Sequence, residues 1–401
     1  MSKKLASVKP GAPLSVQISA RGVARLKAGH VWVYRSDVTP SEDVPPGAVL
    51  GVADSRGKYL GTALYSSSSQ IAIRMIARDP VADFPALLAD RIRAAIRYRE
   101  RVVATTNAYR VVFSEADFLP GLIVDRYHDV VSVQILTQAM DAEPVRAALI
   151  ATLIEEFHPA GIVERVDARI RDLEQLPPRK SGLLWGEKAA TVVTMNEPEV
   201  RFQYDGMEGQ KTGSFLDQRE NYAAAAQYAH GEALDVFCYQ GGFALHLGAK
   251  CSTVTGVDSS RPALEMADKN AALNQREVEW IEANAFDLLK DYDSAKRRYD
   301  MIVLDPPAFA KTKHDLDKAM RGYKELNLRA LKMLRPGGVL VTCSCSFHVS
   351  APDFTEIVAE AARDAHRPTR VLESRSQAKD HPILLSMPET SYLKCVIATV
   401  N

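Results

Sequence analysis

Between Leu14 and about Asp79 the apolar residues come in short runs, LSVQI, HVWVY, AVLGVAD, YLGTALY and QIAIRMI, parted by clusters of Gly, Pro, Ser and Asp. Runs of that length between turn formers predict β-strands, and five in succession predict a small β-barrel. The period changes at Phe84. In FPALLADRIRAAIRYRERVV apolar residues recur at helical spacing and arginines fill the other face, which predicts an amphipathic helix to Val103. Strand-like YRVVFS, GLIVDRY and DVVSVQIL follow, then a helix from Asp141 to Phe157, strand-like GIVERV, and a proline-rich break from Leu176 to Lys180. This is an α+β pattern. From about Thr191 strands and helices alternate: ALDVF, a helix after Gly242, STVTGVD, a helix through RPALEMADKNAALN, VEWIEAN, YDMIVLD, a helix from about Leu316, and GGVLVTCS. Such alternation predicts an α/β unit, a mostly parallel sheet with helices on both faces. The expected division is 1–79, 80–190 and 191–401.

A chain of 401 residues has material for two or three self-sufficient cores. Fifty basic residues balance fifty acidic ones, so any nucleic-acid surface has to be a local patch. Arg21, Arg25 and Lys27, with Arg91, Arg93, Arg97 and Arg101, are candidates for phosphate contact and read equally well as a solvated face. The cysteines are Cys238, Cys251, Cys343, Cys345 and Cys395, an odd number without a CxxC pair or histidines at zinc spacing. No metal site is expected, and a reducing cytoplasm fits. No apolar run approaches the ~20 residues that cross a bilayer, so neither membrane insertion nor export is expected.

In the α/β unit the first strand runs into Asp235-Val236-Phe237-Cys238-Tyr239-Gln240-Gly241-Gly242. The turn after the first strand of a doubly wound sheet faces the ligand, and glycine there lets backbone approach it. GxGxxG is absent, which weakens a dinucleotide reading and leaves a cofactor such as S-adenosylmethionine. The second strand ends at Asp258, followed by Ser259, where an acid meets ribose hydroxyls; Asn284-Ala285 closes the third, where a polar group meets an adenine edge. Asp258 and Asn284 also read as helix caps. Ahead of the first strand the polar cluster from Gln210 to Arg219 is placed to hold the methionine end of the cofactor, or to begin a solvated helix.

The fourth strand ends in Asp305-Pro306-Pro307-Ala308-Phe309. Two prolines stiffen the backbone and remove two N–H donors, aiming Asp305 and the nearby carbonyls at whatever lies above the sheet. Base-amine methylation calls for an aromatic directly after the prolines to stack the base; Ala308 stands there, so that chemistry is the weaker reading. On the next strand Cys343 and Cys345 share a face about 7 Å apart, with Cys345 nearer the ligand edge. Carbon C5 of cytosine is a poor nucleophile until a thiolate adds at C6, and Cys345 is placed to supply that thiolate. The bland alternative, a small buried hydrophobe, is accepted for Cys343, Cys251 and Cys395.

Taken together, EGQKTGSFLDQREN at 208–221, LDVFCYQGGF at 234–243, LDPPAFAK at 304–311 and TCSCS at 342–346 resemble the RlmI-type 23S ribosomal RNA cytosine-C5 methyltransferases. EADFLPGLIVDRY, IVERVDARIR and DHPILLSMPETSYLK extend the resemblance over nearly the whole chain. It implies a PUA β-barrel that binds RNA, a central α+β domain and a Rossmann-like class I domain with S-adenosylmethionine in its cleft, in a cytoplasmic enzyme for which a homodimer is one expected assembly. By position it implies cofactor contacts from Lys211, Thr212, Phe215, Asp217, Gln218 and Arg219. Asp235, Phe237, Cys238, Tyr239 and Gly241 would form the first loop, Asp258 with Ser259 the ribose site, and Asn284 with Ala285 the adenine edge. Asp305, Pro306 and Pro307 would meet the base, and Cys345 would be the nucleophile, seven residues after Gly338. Ser214 and the absence of glycine after Cys345-Ser346 depart from the family pattern. Two readings stay open beside it: methylation of another RNA base or position with Cys345 structural, and an RNA-binding assembly factor without catalysis.

Overall fold

The computed structural model describes residues 14–39, 44–196, 199–207, 215–310 and 313–401. Strands Ser15–Gln17, Trp32–Tyr34, Val49–Ala53, Tyr59–Tyr65 and Ile71–Ala77 make the first sheet. An Ile18–Val38 bridge ties its two edge segments together, so the sheet curls on itself. LSVQI holds only a three-residue strand, because Ser19 turns the chain: its hydroxyl accepts from Gly22 N and caps a helix, Ala20–Lys27, that the apolar pattern alone does not show. Gly22 lets that helix close on the sheet, since a Cβ there would meet Val33 at 3.2 Å.

The second sheet comprises Ala108–Phe113, Leu122–Tyr127, Val130–Ile135, Gly161–Glu164 and Gly182–Gly186. Helices Phe84–Val102 and Glu143–Phe157 bury Leu88, Ile92, Leu149 and Leu153 against it. Asp83 caps the first of these through Ala86 N, and Pro85 suits its first turn. Several arginines proposed for phosphate are engaged internally. Arg91 donates to the carbonyls of Phe118 and Ile76, Arg93 pairs with Glu155 and Glu156, and Arg21 pairs with Asp37.

Thr191 does not begin the alternating unit. Ala190–Met195 and Val200–Asp205 pair as a separate antiparallel hairpin, a two-stranded sheet that buries Val193, Met195, Phe202 and Tyr204 in one cluster with Leu216 and Leu245.

Beyond it lies the largest sheet, with strands β1 (Glu232–Val236), β2 (Thr253–Asp258), β3 (Glu279–Glu282), β4 (Tyr299–Leu304), β5 (Leu334–Ser344), β6 (Thr369–Arg375) and β7 (Lys394–Val400). Their order is β3-β2-β1-β4-β5-β7-β6, and β7 runs antiparallel to both neighbours, so the sheet is mixed. Helices Arg219–Gln227 and Gly242–Leu247 cover one face; Ala285–Ser294, Leu316–Met333 and Ala351–Asp364 cover the other. Order reverses at β1, with β2 on one side and β4 on the other. Such a switch point opens a crevice outside the carboxyl ends of the strands. Among the described residues, no helix is long and apolar enough to cross a membrane.

Candidate active site

The loop after β1 is shaped by three left-handed residues: Phe237 (φ +68°), Tyr239 (φ +48°) and Gly241 (φ +86°). Two are not glycine, and such strain persists only where surroundings hold it. Here Phe237 N and Cys238 N both donate to Val257 O, and Tyr239 N donates to Asp258 Oδ2 at 3.0 Å. The two glycines have different reasons. Gly241 supplies a positive φ at the helix start, whereas a Cβ on Gly242 would lie 2.5 Å from the Tyr222 ring.

Asp258 stands at the end of β2 with its other oxygen accepting from Ser260 N at 2.8 Å. From the third side, the turn Leu216–Gln218 brings Asp217, which accepts from Tyr392 OH at 2.6 Å, and Gln218, whose Nε2 donates to Asp305 Oδ1 at 2.8 Å. Asn221 donates to Gln218 Oε1 at 2.7 Å, which fixes which way that amide points. Asp305 follows β4, and Cys345 follows β5, the adjacent strand. The Cys345 thiol lies 3.9 Å from the Pro306 carbonyl.

These parts enclose a cleft of about 290 Å3. Of the sequence-proposed residues it brings together Phe215, Asp217, Gln218, Phe237, Cys238, Tyr239, Asp258, Ser259, Asp305, Pro306, Pro307 and Cys345. Lys211 and Thr212 lie outside the described residues. The others stand behind the cleft. Arg219 is 2% exposed and paired with Asp380. Gly241 and Ala285 are buried in their helix starts. Asn284 is exposed and caps its helix by accepting from Phe286 N at 2.9 Å. Asp235 is fully buried, accepting from Ala244 N at 2.8 Å, and burial with Asp305 and Asp258 nearby pushes its carboxyl up to about 8.

Sequence reading missed the hairpin's Met195 and Phe202, and also Tyr222, Ser260 and Leu393. Only Ser260 carried a local signal, as a helix cap directly after Asp258. Phe309, one place too late to follow the prolines, packs inward against Tyr323 with ring centres 4.8 Å apart. A larger groove of about 480 Å3 lies at the β6 edge, lined by Val358, Ala362, Val371 and Val396, and holds neither carboxylate nor thiol.

The cleft's chemistry tests which cofactor fits. Three carboxylates line it, with no lysine, arginine or histidine among its described residues. That polarity repels phosphates and suits a cofactor with a sulfonium and an ammonium, while the Phe215, Phe237 and Tyr239 rings suit a nucleoside.

The chain matches the family model of a PUA-like domain over residues 16–78 and that of S-adenosylmethionine-dependent methyltransferases over 134–383. It is 39% identical over 387 residues to "Ribosomal RNA large subunit methyltransferase I" of Shewanella amazonensis, covering 94% of this chain and 96% of that one. A protein of the same name from Pseudoalteromonas translucida is 36% identical, covering 96% and 99%. In fold it is similar to a SAM-dependent methyltransferase from Streptococcus mutans, with a TM-score of 0.81 at 18% identity, covering 96% of this chain and all of that one. With family model, full-length relatives and cleft in agreement, the chain belongs to the S-adenosylmethionine-dependent methyltransferases, in one family with the proteins called ribosomal RNA large subunit methyltransferase I.

Proposed function

We propose that this methyltransferase forms 5-methylcytidine in the 23S ribosomal RNA of the large subunit, with Cys345 as the covalent nucleophile. The substrate class rests on the relatives' name, and a cytoplasmic location goes with it. The observation that carries the choice of atom is the pairing of Cys345 and Asp305 in one cleft, at the ends of adjacent strands. The division into an RNA-binding unit (1–79), a central unit (80–190) and a catalytic class I unit (191–401) goes with this reading.

S-adenosylmethionine supplies an electrophilic methyl on sulfonium. Phe215, Asp217, Phe237, Tyr239, Asp258 and Ser259 would hold it. The Cys345 thiolate adds to C6 of an unstacked cytosine, and the C5–C6 π pair moves to C5 as the bond to sulfur forms. C5 takes the methyl group, leaving S-adenosylhomocysteine. A base removes the C5 proton, the pair re-forms the double bond, and the C6–S bond breaks to return the thiolate. Asp305, held by Gln218, offers the base edge an acceptor, and Pro306 and Pro307 keep that acceptor in place.

Cys345→Ala and Cys343→Ala, assayed on ribosomal RNA with methyl-labelled cofactor, test this. Loss of 5-methylcytidine in Cys345→Ala, with cofactor binding retained and Cys343→Ala active, is the expected result; transfer by Cys345→Ala would end the covalent reading.

A further inference from the structure

The covalent reading leaves open how a thiol becomes a thiolate near neutral pH, where an ordinary cysteine is a few per cent ionised. A buried lysine is tied to the main chain directly after Cys345. Lys394 opens β7 and pairs in register with Ser344, the last residue of β5, directly before Cys345. It is 9% exposed. Its Nζ donates to Ser346 O at 2.7 Å and to Tyr392 O at 2.9 Å, so its ammonium is tied to the main chain on the far side of Cys345.

Buried lysines are ordinarily matched by a carboxylate. Among the described residues none pairs with Lys394, and Cys345 is the one ionisable group that acts on it. Tyr323 from helix Leu316–Met333 also acts on the thiol, and the further titratable groups of this region are Tyr392 ahead of β7, Cys343 on β5, the cleft carboxylates Asp305 and Asp217, and Arg110, which faces Tyr392 and Asp217. Tyr323, Tyr392 and Cys343 are all pushed upward by burial and stay neutral near pH 7, and the carboxylates oppose a second negative charge. Arg110 is matched by Asp125, so Lys394 is the one cation among these groups without a carboxylate partner.

We propose that Lys394 is the positioning residue for Cys345, its buried ammonium fixed on the Ser346 and Tyr392 carbonyls so that the thiol ionises more readily than an ordinary cysteine. The inference builds on the role given to Cys345 above. Burial draws the Lys394 ammonium down to about 8 against the upward pull of Cys345, which leaves it mostly charged near pH 7. Lysine and thiol therefore ionise as a pair.

The test reads ionisation rather than turnover. Carbamidomethylation of Cys345 by iodoacetamide is followed peptide by peptide by mass spectrometry across about pH 6 to 10 in the full chain. In the unaltered protein the Cys345 midpoint is expected clearly below the ordinary thiol value of about 8.5. Lys394→Met is expected to raise that midpoint by about one unit or more and slow alkylation near pH 7 roughly tenfold, with Lys394→Arg recovering much of the loss. An ordinary midpoint in the unaltered protein overturns the proposal, even if Lys394→Met does not fold. So does a folded Lys394→Met with an unmoved profile, whatever its melting temperature, because a lysine that merely braces β7 alters stability alone. Transfer activity in Cys345→Ala would instead end the nucleophile reading and leave this result standing.

Discussion

One carboxylate under the cleft is held in its less usual form. Asp235 has no exposed surface, and only its Oδ2 finds a donor, Ala244 N; its Oδ1 has no partner among the described residues. Burial, then Asp305 and Asp258, drives its value up to about 8, against the help of that one N–H. A value raised on folding means that the folded chain binds the extra proton, so stability is full below the unfolded value near 4 and falls as pH rises toward about 8. Asp235→Asn keeps the shape and removes the slope. Unfolding free energies of the cofactor-free protein from urea titrations should therefore fall between about pH 5 and pH 8 by up to a few kcal/mol, and fall less in Asp235→Asn. Parallel falls in the two proteins would contradict this. At this scale the sequence was legible wherever a strand end names its residue, as at Asp258, Asp305 and Cys345. Asp235 and Asn284 show the limit: a polar residue near a strand end can point up at a ligand or sideways to cap the next helix, and nothing in its neighbours' identities decides between the two.

Among elements, the hairpin Ala190–Met195 and Val200–Asp205 was the least legible. VVTM and VRFQY carry apolar residues at strand spacing, but the pair sits next to an alternating α/β pattern that absorbs it. What assigns the hairpin to the cleft is tertiary. Met195 and Phe202 line the cleft, and Asn196, 5% exposed, donates from Nδ2 to Arg219 O at 2.8 Å and meets His246 Nε2 at 2.9 Å. His246 is held by Gly242 O through its other nitrogen, at 2.7 Å, and burial lowers it to about 4, so it stays neutral and accepts from Asn196. One side chain thus joins the hairpin, the helix carrying Arg219 and the helix that begins at Gly242. Asn196→Ala strands two buried acceptors and should cost about 1–3 kcal/mol in urea melts. Because it also frees one wall of the cleft, cofactor affinity measured by calorimetry should drop several-fold or more. Unchanged affinity would mean that the hairpin's wall of the cleft plays no part in holding the cofactor.

For the whole molecule, the segment between β6 and β7 joins units far apart in sequence. Asp380, with no exposed surface, accepts from Arg219 at 3.1 Å and from Arg110 N at 2.9 Å, while its own carbonyl accepts from Arg99 at 2.7 Å. Phe113 packs against His381 and Tyr392, His30 of the first unit meets Glu389 at 3.3 Å, and Ala378 N donates to Asp217 O beside the cleft. DHPILLSMPETSYLK stood out in the sequence only through its family resemblance. The bonds of Asp380 to Arg219, Arg110 and Arg99 and of Tyr392 to Asp217 span more than a hundred residues, which no local pattern encodes. Asp380 is held well below the usual carboxylate range. Burial opposes this, and the His381, Arg219 and Arg110 donors overcome it. A depressed value means that its stabilisation is whole above the unfolded value near 4 and fades as pH falls below it. Asp380→Asn removes the charge but leaves Arg219, 2% exposed, with its guanidinium buried and unmatched by Asp380. A cost of about 3–5 kcal/mol near pH 7 is expected, shrinking below about pH 4. Calorimetric unfolding should then begin at a lower temperature and broaden, because this segment binds the first and central units to the methyltransferase unit together with the apolar cluster that Ala108, Tyr127 and Val163 share with Leu216 and Leu245. A single transition at an unchanged temperature would show that the units are joined through some other surface.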